Sequence, residues 1–158
     1  MEPGSHLYQT VLFLHIMSVI VWLGGGIMIF FLSFRVMKRG PEDQQKFAED
    51  AEFLGKKVLG MASGLTLLFG LTMALFSGGA WSITNPWILI GLVGWLISMI
   101  LGAGMIGPTS GKIGKLIPEK GPEDPEVKAL VKRVQLLSRI DMVLLIVIVW
   151  DMVYKPFT

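Results

Sequence analysis

The chain has 158 residues, enough for one compact domain, and is 53% hydrophobic with only 16% charged residues. An ordinary soluble domain carries about 25% charged residues, and a fold of this size has too little interior to hide so much apolar surface. The mean hydropathy of +0.64 and two long charge-free stretches, Glu2 to Arg35 and Lys57 to Lys112, exclude a soluble enzyme, a disordered chain and a collagen-like chain. An integral membrane protein remains. The net charge of +2 comes from loop lysines, so no nucleic-acid partner is expected, and the absence of cysteine excludes disulfides, thiolate metal sites and cysteine catalysis.

A helix crossing a bilayer needs about 20 apolar residues. Four stretches qualify, at about 7–34, 58–76, 87–107 and 140–154. The expected fold is all-α: a single four-helix transmembrane domain over 1–158, with cytoplasmic loops 35–57 and 108–139 that carry helix extensions. The first stretch has no basic leader and no small-residue cleavage site, so it is expected to remain in the mature chain. Its Gly24-Gly25-Gly26 run marks a possible kink or a flat face for a planar ligand.

Six basic residues fall between the first and second stretches and seven between the third and fourth, whereas 77–86 holds none. The positive-inside rule then puts both long loops in the cytoplasm and both termini outside, in a bacterial inner membrane. Trp81, Trp87, Trp150, Tyr154 and Tyr8 all fall at the outer ends, where an aromatic belt belongs. In the first loop, Gly40-Pro41-Glu42-Asp43 offers proline at a first helical position with acids in the first turn. Gly121-Pro122-Glu123-Asp124 repeats that string 81 residues later. Convergent capping explains the repeat better than a two-plus-two duplication, because the halves do not otherwise match.

Many of the 19 glycines lie within helices, as in the Gly60–Gly64 step and at Gly91, Gly94, Gly102 and Gly104. Such faces let helices approach closely, first within one bundle and alternatively in a homodimer. The 10 methionines show no ligand-like cluster and read as packing. The stretch Gly107-Pro108-Thr109-Ser110-Gly111-Lys112 lacks the spacing of a phosphate loop.

Ionisable groups in lipid cost at least about 2.5–3.5 kcal/mol near the centre, which directs attention to His15, Asp141 and Asp151. Asp141 lies beside Arg139 and reads as a solvated or ion-paired helix end. His15 and Asp151 lie at similar depth near the outer side. A hydrogen bond from one imidazole nitrogen to Asp151 would leave the other nitrogen for a metal, a haem iron or a proton. Ser18, Trp22 and Gly25 continue the His15 face at three- and four-residue steps. Asp151 has Lys155 four residues on, which reads as an ion pair.

At these residues a resemblance appears. The run Leu14-His15-Ile16-Met17-Ser18-Val19-Ile20-Val21-Trp22-Leu23-Gly24-Gly25 resembles the first helix of the copper-resistance D-type membrane proteins. It is also similar to that of the J-type membrane protoporphyrinogen oxidases. The ending Trp150-Asp151-Met152-Val153-Tyr154-Lys155-Pro156 resembles that of a family of small, uncharacterised four-helix integral membrane proteins, which fits best over the full length. The J-type resemblance implies haem b bound through His15; that family's later-helix lysine has no counterpart in helix three here. The copper-resistance resemblance implies copper movement across the inner membrane.

The leading expectation is a small haem b protein of redox or haem-handling type, whether or not it is an enzyme. His15 would ligate iron, Asp151 or Ser18 would orient the surroundings, Trp22 and Gly25 would shape the pocket, and Lys155 would meet propionates. The alternatives are copper binding through His15 and methionines, and a ligand-free accessory subunit.

Overall fold

The computed structural model describes residues 2–156, and among them the only regular secondary structure is helical. Four long helices run up and down. We number them α1 (His6–Val36), α2 (Pro41–Leu75), α3 (Pro86–Lys120) and α4 (Pro125–Tyr154). Three are long and apolar enough to cross a membrane; the fourth carries Asp141 and Asp151 within its apolar stretch and Arg139 at its edge. The segments expected as loops, 35–57 and 108–139, are largely helical, since α2 and α3 continue past the apolar stretches and α4 starts before its own.

Local chemistry sets the helix starts. Ser5 caps α1 by accepting from the Tyr8 amide. Pro41 opens α2 with Glu42 and Asp43 in its first turn, as the sequence predicts. The second Gly-Pro-Glu-Asp string behaves differently. Gly121, at φ +82°, ends α3; Asp124 accepts from the Glu126 amide; and Pro125 opens α4. The same four residues thus make a turn here, because their last acid, Asp124, caps the helix and a second proline follows it. The triple glycine does not break α1, which is α-helical throughout.

Both middle helices widen into π-turns, at Gly55–Leu59 in α2 and Ile100–Ile106 in α3. In α3 a reason is visible: Pro108 follows the π-turn, and its ring and missing N–H disfavour regular α turns just before it. The outer surface is apolar. Phe13, Phe31, Met61, Leu68, Val93 and Val143 are each more than half exposed, as a lipid-facing surface requires.

Three clusters form the interior. At the basic end, Ala48, Ile113, Ile117 and Val127 join α2, α3 and α4. In the middle, Trp22, Ala62 and Leu145 pack with Trp95 and Ile148, so all four helices contribute. At the aromatic end, Ala74, Trp87 and Ile88 pack with Trp81 and Met152. The α3–α4 contact depends on missing side chains. A Cβ on Gly94 would sit 2.6 Å from Ile148 Cδ1 and 2.7 Å from its Cγ1. The Gly60–Gly64 step does not serve the interior in this way: a Cβ on Gly64 meets nothing within 4 Å.

The basic end is tied by exposed ion pairs. Lys112 of α3 and Lys120 at its end both bond Glu126 of α4, at 2.7 and 2.6 Å. These two ammonium groups hold the Glu126 carboxyl at about 2, well below the usual carboxylate range. A depressed acid contributes above its ordinary value and loses that contribution as pH falls through the folded-state value. Amide protection factors across the α3–α4 turn should therefore fall between about pH 4.5 and 2 in the native chain, and Glu126→Gln should remove that dependence. For the packing, Gly94→Val should destabilise the bundle by roughly 1–3 kcal/mol through overpacking, read as the unfolding midpoint in detergent, whereas Gly64→Ala should cause no loss.

Candidate functional site

His15 lies on the inner side of α1, half-buried, against α2. Its Nδ1 is 2.9 Å from the carbonyl oxygen of Thr66. A carbonyl only accepts, so Nδ1 carries the proton and the Nε2 lone pair points away from that bond. Nε2 has no hydrogen-bond partner among the described residues. Close approach is possible because position 70 lacks a side chain: a Cβ on Gly70 would stand 3.2 Å from the ring Cε1. Inside hydrocarbon, an imidazole with one nitrogen tethered and one bare is an incomplete arrangement.

The expected His15–Asp151 hydrogen bond is absent. Asp151 is 2% exposed, and neither of its carboxyl oxygens has a hydrogen-bond partner. The Thr66 carbonyl takes the imidazole proton instead, because α1 packs closely on α2 along this stretch. The depth expectation does hold. His15 lies seven residues from Trp22 and Asp151 six from Leu145, both toward the aromatic end from the same packed layer, or roughly 10 Å at the helical rise. Trp87, on α3, adds a third unsatisfied group in this half, its buried Nε1–H.

The other sequence-predicted residues divide between packing and capping. Ser18 is buried and donates to the Leu14 carbonyl at 2.8 Å, a bond within its own helix rather than to His15. Trp22 sits in the middle cluster. Gly25 gives room to Leu59, whose Cδ2 lies 2.6 Å from where a Cβ would be. Lys155 donates its backbone N–H to the Asp151 carbonyl at 2.8 Å, closing the helix, but its ammonium does not hydrogen-bond the Asp151 carboxyl. It takes a left-handed backbone (φ 47°) at the end of α4, and its Nζ lies 4.1 Å from the centre of the Trp81 ring and 5.2 Å from that of Trp87. Trp81 in turn donates to the Tyr8 hydroxyl at 3.2 Å, tying the start of α1 to the α2–α3 loop.

A second polar region lies toward the basic end. Asp141, read from sequence as a solvated or ion-paired helix end, is half-buried and accepts from Ser98 Oγ at 2.5 Å. Arg139, two residues away on a helix, is exposed and points elsewhere. Asp141 lines a cavity of about 140 Å³ between the four helices. Nearby, Trp95 Nε1–H donates to the Ser63 hydroxyl and carbonyl at 2.9 and 3.1 Å, and Ser63 Oγ lies 2.9 Å from Met99 Sδ. The aspartate was visible in the sequence as an ionisable group in an apolar stretch; its serine partner on another helix was not.

These features define a polytopic helical membrane protein with two intramembrane polar regions, one at His15 and Asp151 and one around Asp141. The chain belongs to the family described as predicted integral membrane protein (DUF2269), whose model matches residues 9–156. No curated protein and no solved structure matches it.

An unpartnered buried carboxyl lowers stability and is retained only where something else needs it. Asp151→Asn should therefore melt at or above the native temperature in detergent. A fall in the melting temperature would make Asp151 a structural residue.

Proposed function

We propose that this protein binds haem b in the aromatic half of the bundle, with His15 Nε2 as an axial ligand to the iron. The observation that carries this reading is the Nδ1–H bond to the Thr66 carbonyl, which leaves Nε2 bare within a spanning helix. A backbone acceptor on one imidazole nitrogen fixes the tautomer, holds the ring and raises the basicity of the other nitrogen. A single imidazole suffices for haem iron, whose four equatorial ligands belong to the macrocycle. The likeness of 14–25 to the first helix of the J-type membrane enzymes supports the same role. When bound, haem would supply one-electron redox chemistry.

The residues around His15 have separable tasks in this reading. The Thr66 carbonyl keeps the proton on Nδ1. Gly70 keeps the ring close to α2. Lys155, seated on two tryptophan faces at the same end, is the cation nearest in depth for carboxylate side groups. With the basic loops in the cytoplasm, this site lies in the outer leaflet of a bacterial inner membrane.

Protein purified after haem-replete expression should show a Soret band. His15→Ala should abolish it, and added imidazole should partly restore it. Gly70→Val, which pushes on the ring, should shift the band without abolishing it. A colourless native protein that takes up no added haem overturns the proposal, as does an unchanged spectrum in His15→Ala. Copper in place of iron in the same preparation would move the reading to copper handling.

A further inference from the structure

The cavity around Asp141 is a site of its own, separate from His15. It extends from the level of Trp22, Ser63 and Ser98 to that of Phe47 and Val131, and both π-turns wall it, through Gly55 and Leu59 on α2 and Gly102, Ala103 and Ile106 on α3. π-turns concentrate at functional positions. A second, smaller pocket of about 40 Å³ between α1 and α4 also reaches Asp141 and Ser138, so these two side chains stand between two voids.

The character of the lining selects the occupant. Asp141 is its one acid, and the described lining includes no lysine, arginine or histidine. A carboxylate within a spanning helix requires a positive charge or a proton. Its Oδ1 accepts from Ser98, while Oδ2 is not among the buried, unpartnered atoms and so remains accessible. Most of the wall is apolar, including the aromatic rings of Trp22, Phe30 and Phe47. A bare metal cation needs about six oxygen ligands, whereas an ammonium on an apolar body needs one anion, a few acceptors and aromatic faces. The volume is close to the roughly 150 Å³ of an engineered cavity that takes up benzene.

We propose that this cavity binds a small organic monocation, an alkyl- or arylammonium of about benzene size, with its ammonium on Asp141. Ser98 positions the carboxylate, and the aromatic rings and small residues of the π-turns receive the apolar part.

The test uses the full chain in detergent and two probes of matched shape, n-butylammonium and 1-butanol, with binding followed by calorimetry. The native protein should bind the ammonium saturably and about tenfold or more tighter than the alcohol, as a charge-assisted hydrogen bond implies. Asp141→Asn should erase that preference. Ala51→Leu, which fills the lining and keeps the carboxyl, should weaken both probes. Equal binding of the two probes by the native protein overturns the proposal, as does a preference that survives Asp141→Asn. Absence of saturable ammonium binding also overturns it and leaves Asp141 as a proton site. The two-probe comparison on the native chain stands even if Asp141→Asn fails to fold, and it does not depend on haem at His15.

Discussion

A polar atom inside a bilayer has no water to bond with, and this constraint governs the rest of the molecule. It requires backbone amides and carbonyls to pair within helices, so the described chain is built from four of them. It makes hydroxyls fold back on their own helix, as Ser18 does to Leu14, Thr66 to Ala62 and Thr72 to Leu68. Where a side chain escapes the rule, the exception is informative. Nε2 of His15, the carboxyl of Asp151 and the indole N–H of Trp87 are such exceptions, and all three lie in one half of the bundle.

The opposite end follows a different logic. There α2, α3 and α4 extend beyond the apolar stretches and pack through Ala48, Ile113, Ile117 and Val127, while Glu126 joins two lysines in water. Screened ion pairs of this kind add little to stability; here they link the end of α3 to the first turn of α4. The Asp141 cavity lies between this basic, water-exposed head and the packed Trp22 layer.

The number and order of the helices were legible in the charge gaps and the basic loops, because lipid enforces long apolar runs with little regard for detail. The Pro41 start was legible too, since proline and two acids act locally. The same string at 121–124 was misleading, because its own Asp124 as the cap and Pro125 just beyond it decide where α4 begins. His15 and Asp151 stood out as ionisable groups in apolar runs, and their common depth followed from counting residues. Their partners did not. The Thr66 carbonyl belongs to the backbone and leaves no mark in the sequence, and which face of α1 meets α2 depends on side-chain packing. Ser98 was equally hidden, as one serine among many until α3 and α4 are placed side by side.

The two π-turns carry a consequence for how one helix serves two neighbours. Each wide turn holds an extra residue per cycle, so the side-chain phase on one side is rotated by up to about 100° relative to the other. Below its π-turn, α2 presents Ala48 to α3 and α4; above it, α2 presents Ala62 to Trp22 and Thr66 to His15. An unbroken α-helix would carry a single azimuth from end to end. Closing 55–59 into regular α-turns with every residue kept would therefore turn the imidazole's backbone acceptor away from α1 while leaving the hydrophobic length of the helix almost unchanged.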